Sequence, residues 1–159
     1  MNRTELGAIA GDWDEKDWII LQSVQSDARL SFAELARRTG LSPPAASERL
    51  KRLEDAGVIV GYHARINPQH LGLGLLVFIE VNVKRSDYAR LEKMAQQLAW
   101  ILECHHIAGR TSFIIKAAVP DAQGLELLIG HLSQFGDTTT TLVLSTVLGH
   151  REFTRQPPR

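Results

Sequence analysis

The sequence predicts an α+β fold in which three helices are followed by a β-α-β-β-α-β segment. Up to Gly57, apolar residues recur at intervals of three and four, and helix-capping residues stand at the ends of these stretches. After Gly57 the apolar period changes to two, and from Leu75 onward strand-like runs alternate with two amphipathic stretches. The chain has 159 residues and is 44% apolar, which is enough for one ordinary domain or two small ones with buried cores.

The helical part is organised around a tight turn between two helices. Ser31 is an N-cap candidate with Glu34 at capping-box spacing, and Gly40 can adopt the left-handed conformation that ends a helix. Ser42 then caps a second helix whose first position is Pro43, where a missing N–H costs nothing. The predicted helices are Asp14–Ser26, Phe32–Arg38 and Pro43–Ala56. Three helices are the minimum for a stable helix-turn-helix domain, and the first of them covers the apolar side of the other two.

Trp18 lies off the apolar stripe of the first predicted helix. Two interpretations stay open for it: an exposed aromatic side chain, or one that packs against a partner subunit.

The second helix of the pair has the profile of a DNA recognition helix. Ala46, Leu50 and Leu53 form its inner face, its N-terminal half is small and polar, and its middle is basic. We expect Arg49 to project opposite the inner face. The alternative is an ordinary helical hairpin with a solvated basic surface. The predicted DNA-binding residues are Ser31, Arg37, Arg38, Ser42, Pro43, Pro44, Ser47, Arg49, Lys51 and Arg52.

These residues are expected to divide their roles between bases and phosphates. Arg49 and Arg52 reach base edges, together with the hydroxyls of Ser42 and Ser47. The remaining cations, which are Arg37, Arg38 and Lys51, mostly neutralise phosphates.

The second half of the chain predicts a ferredoxin-like unit. Val58–Ile66 is a short strand or hairpin, acting as a wing or connecting strand, and Pro and Gly residues mark a linker up to Gly74. The predicted strands are Leu75–Val83, Ile101–Ala108, Phe113–Val119 and Thr139–Leu148, and the predicted helices are Asp87–Trp100, capped by Ser86, and Ala122–Phe135. The architecture is therefore an N-terminal three-helix winged helix-turn-helix domain followed by a βαββαβ ferredoxin-like domain.

The expected domain boundaries follow from these elements. Residues 1–12 form a flexible N-terminus, 13–60 the helix-turn-helix domain and 61–74 the connecting strand and linker. Residues 75–150 form an oligomerisation and effector domain, and 151–159 form a tail.

Composition restricts the function classes. The formal net charge is zero, so any nucleic-acid surface must be a local basic patch. A single cysteine excludes an internal disulfide and favours a reducing compartment, and no membrane span or signal peptide is indicated, so a cytoplasmic, nucleoid-associated protein is expected. An enzyme and a pure protein-interaction module are the rival classes. No catalytic spacing, phosphate loop or cofactor motif is present, so we expect neither an enzyme nor a cofactor.

Cys104, His105 and His106 are the nearest approach to a metal site. They are adjacent on a predicted strand, so at most Cys104 and His106 share a face. Two ligands do not make a closed zinc site, and we expect no metal.

Many short motifs in order resemble the Lrp/AsnC (feast/famine) family of transcription regulators. The resemblance implies a regulator whose second domain forms dimers and larger rings, often octamers, with amino-acid effectors between subunits. It is consistent with a ferredoxin-like sheet, whose second face needs a partner. The motifs are Trp13-Asp14-x-x-Asp17, Gln25-x-Asp27-Ala28-Arg29, Glu34-Leu35-Ala36, Gly40-Leu41-Ser42, Arg49-x-x-x-Leu53-Glu54-x-x-Gly57-x-Ile59, Ile66-Asn67-Pro68, Leu71-Gly72 and Glu103-Cys104-x-x-Ile107-Ala108-Gly109.

The effector loop departs from the family pattern. Where the family usually has Gly-Asp-aromatic-Asp, this chain has Gly109-Arg110-Thr111-Ser112-Phe113, while Thr139 and Thr141 match a family Thr-x-Thr near the effector site. A guanidinium with hydroxyls and no acid favours a carboxylate ligand held bidentately, and cannot hold an amino group by charge pairing. The alternatives are that Arg110 pairs with an acid of a neighbouring subunit, or that the protein is an effector-independent architectural DNA-binding protein.

Overall fold

A computed structural model describes residues 13–155 and divides them into two compact units. A helical unit contains residues 13–65 together with 148–155, and a sheet unit contains residues 66–147. The helical unit has three helices, α1 (Glu15–Ser26), α2 (Phe32–Thr39) and α3 (Pro43–Asp55). The three helices are those that the sequence predicts, with ends that differ by one residue.

Side chains and one glycine define the ends of these helices. At the start of α1, Asp14 Oδ1 accepts from the Asp17 backbone N–H at 2.9 Å, and Asp17 Oδ2 accepts from the Asp14 N–H at 3.2 Å. Ser31 Oγ accepts from the Glu34 N–H at 3.2 Å, but the Glu34 carboxylate does not return to Ser31, so the predicted capping box is only half formed. Gly40 ends α2 at φ 64°, which a residue with a Cβ adopts only under strain.

Two small apolar clusters hold the three helices together. One is centred on Ile20, Leu21 and Leu53, and the other on Leu35, Ala36 and Ala46. The half-buried Trp18 packs against the first cluster, so the interpretation as an exposed aromatic side chain is wrong, while packing against a partner subunit stays a prediction. The reason is that a large ring beside the apolar stripe of α1 can still reach the interface between α1 and α3.

No strand forms between α3 and the sheet unit. Residues 58–67 contain neither the strand nor the hairpin predicted from their alternating pattern, and Val60 is 91% exposed. The prediction is wrong for the single chain because an extended segment becomes a strand only where another strand supplies hydrogen bonds. The C-terminal segment 148–155 of the unit, in contrast, is hydrogen-bonded to α1. Gln25 Nε2 donates to the Phe153 carbonyl at 3.0 Å, and Gln25 Oε1 accepts from the Phe153 N–H at 2.8 Å.

The sheet unit has the predicted β-α-β-β-α-β order. A 3₁₀ turn, Pro68–Leu71, precedes the first strand, and a second one, Arg85–Asp87, leads into the first helix of the unit. The main elements in order are β1 (Leu75–Val83), α4 (Tyr88–Gln97), β2 (Ile101–His106), β3 (Phe113–Val119), α5 (Ala122–Ser133) and β4 (Gly136–Leu142). β1 and β3 have the predicted ends.

The other elements are shorter or shifted. α4 ends three residues early, because the Leu98 N–H closes the last turn and the chain then turns into β2; Ser86 lies in the 3₁₀ turn and does not cap the helix. β4 begins three residues before the predicted Thr139, because Gly136 approaches the backbone of Asn82 so closely that a Cβ would collide with its carbonyl oxygen. β4 ends at Leu142, beyond which only the Val143 N–H continues the pairing with β1.

The four strands form one antiparallel sheet in the order β2-β3-β1-β4. One face of the sheet packs against α4 and α5 around a wholly apolar core that includes Ile79, Leu91, Phe113 and Leu128. The opposite face, here called the open face, carries the alternate side chains of the strands. Its members include Phe78, Glu80, Asn82, Thr139 and Thr141.

Candidate functional site

The first turn of α3 is exposed and carries small side chains. Ser42 caps the helix by accepting from the Ala45 N–H at 3.4 Å, so its hydroxyl proton remains available to another acceptor. Pro43 and Pro44 occupy the next two positions and are exposed, and Ser47 is half-buried one turn later. Small residues at the start of a helix allow its backbone to approach another surface closely.

The arginines of α3 do not extend away from the unit. Arg49 donates through Nη1 to Asp14 Oδ2 at 2.6 Å and to Asp17 Oδ1 at 3.0 Å. Arg52 donates through Nη2 to both oxygens of Asp17, at 2.9 and 2.7 Å, and its guanidinium lies 5.8 Å from the ring centroid of Trp13. These four residues and Trp13 are called the acid–arginine cluster below.

The expected direction of Arg49 is therefore wrong, and the helical period explains why. Successive residues are rotated by about 100°, which places Arg49 about 60° from the buried Ala46 and about 40° from the buried Leu53, on the side of α3 that faces α1. Asp17 is fully buried at that junction. The pKa of Asp14 lies below its ordinary value, chiefly because the carboxylate accepts from the Asp17 backbone N–H and also because it accepts from Arg49.

Sequence reasoning missed the aspartates as partners of the arginines. The available signal was the Asp-x-x-Asp spacing at the start of α1, which marks a capping box and puts two carboxylates at one helix end. Nothing in the sequence pairs that end with positions 32 to 35 residues away.

The other predicted basic residues form exposed pairs along their own helices. Glu34 accepts from Arg37 at 2.8 Å and from Arg38 at 2.9 Å, and these two hydrogen bonds lower its pKa to about 2. Lys51 donates to Asp55 at 2.7 Å, and the Lys51 side chain is 70% exposed. Exposed pairs of this kind contribute little to stability, so such cations can readily exchange partners.

The predicted effector residues are partly committed to the fold of the sheet unit. Ser112 Oγ donates to the Val83 carbonyl at 3.0 Å and accepts from the Val83 N–H at 3.2 Å. Thr111 Oγ1 donates to Glu80 Oε2 at 3.2 Å. These bonds fasten the loop between β2 and β3 to the neighbouring strand β1.

Glu80 corrects the expectation that this loop has no acid near it. Its Cα pairs across the sheet with that of Thr139, and Thr141 follows on the same exposed face opposite Phe78. The structure thus brings Thr111, Thr139 and the Glu80 carboxylate together. Glu80 is the one charged residue in the sequence of β1, and that was the signal available to sequence reasoning.

Gly109 and Arg110 are exposed at the tip of the same loop. Within residues 13–155, Arg110 makes no hydrogen bond or ion pair, in contrast to the arginines of α2 and α3. The loop region therefore combines a carboxylate, a guanidinium and threonine hydroxyls within one unit.

Cys104 and His106 face the groove between β2 and α4, as the strand alternation predicts. Cys104 packs against the apolar core, where burial and the charge of Glu92 raise the pKa of the thiol. The His106 ring contacts Tyr88 and Phe113 at centroid distances of 4.9 and 5.0 Å. Among the residues that the structure describes, no three His, Cys, Asp or Glu side chains form a group suited to a metal ion.

Comparison with known proteins accounts for both units. Residues 14–60 match the family model for winged helix-turn-helix DNA-binding domains, and residues 76–153 match that for the Lrp/AsnC ligand binding domain. The leucine-responsive regulatory proteins of Klebsiella pneumoniae and Escherichia coli are each 38% identical to this chain over 143 residues, covering 86% of this chain and 87% of theirs. The chain belongs to the Lrp/AsnC family of transcription regulators.

Solved structures of Lrp/AsnC regulators have the same fold. LrpC of B. subtilis matches with a TM-score of 0.83 and 31% identity, over 88% of this chain and 100% of LrpC. A transcriptional regulator of Neisseria meningitidis in complex with L-Met matches with a TM-score of 0.81 and 29% identity, over 88% of this chain and 95% of that protein. As a member of the Lrp/AsnC family, the chain is a DNA-binding transcription regulator with a ligand-binding domain, and its relatives are regulators, not enzymes.

Across residues 13–155, no helix combines the length and apolar composition needed to cross a membrane.

Proposed function

We propose that this Lrp/AsnC regulator binds pseudo-palindromic DNA sites as a dimer or a higher oligomer and that an amino acid modulates this binding. The observation that carries the first part is the exposed first turn of α3, whose Ser42, Pro43 and Pro44 leave room for the edges of bases. A dimer presents two such helices to successive major grooves, about one helical turn apart.

The basic residues then have two kinds of role. Arg37, Arg38 and Lys51 contact phosphates, because their exposed pairs exchange cheaply for a phosphate oxygen. Arg49 and Arg52 act mainly through the acid–arginine cluster, where the buried Asp17 holds α3 against α1. Ser31, Ser42 and Ser47 supply hydroxyl donors beside the phosphates and bases.

The exposed apolar surface on the open face of the sheet supports assembly into a dimer through that face. Phe78 is 36% exposed there, whereas the corresponding side chains of β1 on the other face are fully buried. Covering this face with a second copy removes apolar surface from water, and two sheets packed face to face achieve that. Repetition of a second interface extends dimers to the octamers expected from the family resemblance.

The effector proposal rests on the charges around the loop between β2 and β3. Glu80 offers a carboxylate to an α-ammonium group, and Arg110 offers a guanidinium to an α-carboxylate, so the region suits both ends of an amino acid. The Neisseria regulator solved with L-Met supports this ligand class. An effector changes DNA binding only if it binds one assembly state more tightly than another.

The DNA-binding part is tested by titrating a selected operator at several salt concentrations. Lys51→Ala and Arg37→Ala should each reduce the salt slope of log K by about one, because each removes one phosphate contact. Lys93→Ala is the matched control, since Lys93 is an exposed lysine of α4 in the sheet unit. Slopes that stay equal to that of the wild type would contradict the assignment of these cations to phosphates.

The effector part is tested by thermal stability and light scattering with each of the standard amino acids. Arg110→Ala and Glu80→Gln should each abolish the ligand-induced shift while the oligomer persists, and Arg85→Ala, an exposed arginine outside the loop, should keep it. If no amino acid shifts the stability or the assembly of the wild type, the architectural DNA-binding function replaces this part of the proposal. Dissociation of the unliganded Arg110→Ala oligomer would instead make Arg110 an assembly residue.

A further inference from the structure

Glu48 occupies the outermost position of the recognition helix. It lies about 160° from both Ala46 and Leu50 around the axis of α3, opposite the buried row. The residues that share this outer row, here called the outer stripe, are Pro44, Glu48, Lys51 and Asp55. Each member of the outer stripe is exposed, and Glu48 is the sixth residue of α3.

The charges around Glu48 are all engaged elsewhere. Arg49 and Arg52 are held by Asp14 and Asp17, and Lys51 Nζ donates hydrogen bonds to both carboxylate oxygens of Asp55. Within residues 13–155, Glu48 makes no hydrogen bond or ion pair. It is therefore a free acceptor on the face of α3 that enters the groove.

A free carboxylate on this face restricts the base that it can meet. It only accepts hydrogen bonds, and phosphate groups repel it, so its approach is favourable only where the DNA offers an N–H donor. In the major groove, cytosine presents its N4 amino group, whereas guanine and the thymine carbonyl present acceptors. Adenine also has a donor at N6, but its neighbouring N7 is an acceptor that repels a second carboxylate oxygen.

We propose that Glu48 reads a cytosine in each half-site of the operator, by accepting a hydrogen bond from the N4 amino group. This inference rests on the proposed placement of α3 in the major groove. The small side chains of Pro44 and Ser47 on either side of Glu48 leave room for the carboxylate to reach the base edge. The carboxylate of Glu48 thus determines the preferred base at this position of the operator, while the arginines of α3 hold the helix in place.

In vitro selection from random DNA with the full-length chain tests the proposal. The wild type should enrich a symmetric site with one C·G pair per half-site, at which replacement of the cytosine lowers affinity about tenfold. Glu48→Gln should change the preferred base at that position from cytosine to adenine, because an amide pairs with both N6 and N7 of adenine. Glu48→Ala should lose the preference there and keep it at every other position.

Asp55→Asn is the matched control, because it removes the same charge from the same outer stripe while its carboxylate is already paired. It should keep the wild-type cytosine preference. If Glu48→Gln and Glu48→Ala both select the wild-type sequence, or if the control loses the same position, the proposal is overturned. If the wild type enriches no site at all, the sequence-specific function fails first, so the two failures are distinguishable. Ala is a good helix former, so Glu48→Ala guards against a loss of binding through misfolding.

Discussion

The two units of the chain solve the problem of a stable interior in different ways. The helical unit buries a charged residue, Asp17, at 0% exposure and joins α1 to α3 through two arginines, beside two small apolar clusters. The sheet unit has a continuous core in which every buried side chain is apolar, and its charged groups lie on the open face, the loops and the outer sides of α4 and α5. Short helices bury little surface, so we expect electrostatic contacts to add to the apolar clusters in holding α3, whereas apolar packing alone holds the sheet unit together.

The largest expected effect lies in the sheet unit. Phe113 is 1% exposed and meets the Tyr88 ring edge-to-face at 5.0 Å, so Phe113→Ala should lower the free energy of unfolding by about 3–5 kcal/mol. Denaturant titration measures this free energy of unfolding, with the fluorescence of Trp100, which packs against the same core, as the signal. The control is Phe153→Ala, which removes a 77% exposed ring and should change the free energy of unfolding by less than about 0.5 kcal/mol. A small effect of Phe113→Ala would break the contrast between the units.

The second effect lies in the helical unit and should be smaller. Asp17→Ala leaves two guanidinium groups without their shared carboxylate. Breaking a buried pair costs about 3–5 kcal/mol, but the arginine side chains are 28% and 54% exposed, so we expect about 2–3 kcal/mol. Unfolding in a Trp100→Phe background leaves Trp13 and Trp18 as reporters of this unit alone. Loss below 0.5 kcal/mol, as expected for the exposed Asp55→Asn control, would mean that packing and not charge positions α3.

The third effect separates a positioning arginine from a phosphate contact. Arg49→Ala should weaken specific operator binding by about 1–3 kcal/mol, because α3 loses its attachment to α1, while the salt slope of log K stays unchanged. Lys51→Ala should weaken all sequences alike and reduce that slope by about one. Fluorescence anisotropy at four salt concentrations makes the measurement. A reduced slope for Arg49→Ala would show that Arg49 leaves the acid–arginine cluster to meet the DNA.

The smallest effect is a pH dependence at the surface of α2. The folded-state pKa of Glu34 is lowered from 4.5 to about 2, so its pairs with Arg37 and Arg38 stabilise the fold fully above pH 4.5. This contribution is lost as the pH falls from 4.5 towards 2. Melting temperatures of the wild type and Glu34→Gln should therefore converge across that interval and differ by a constant amount above it. A difference that does not change with pH would mean that the pairs do not act on stability.

Features that depend on neighbouring residues could be read from the sequence. The caps at Ser31 and Ser42, and the end of α2 at Gly40, follow from the preferences of the residues themselves. The exact limits of β1 and β3 follow from β-branched and aromatic runs between breakers. The ferredoxin-like order followed because each element had one apolar face at its own period.

Features that depend on distant residues could not be read from the sequence. Arg49 and Lys51 are both cations on one helix, and only the packing of α1 against α3 gives the first a buried aspartate and leaves the second in solvent. Glu80 and Thr111 are 31 residues apart, and only the register of the sheet joins them. Val58–Ile66 alternates as a strand does, yet no strand within residues 13–155 pairs with it. Local preferences act within one or two turns of chain, whereas the partner of a charge or a strand is chosen by the tertiary fold.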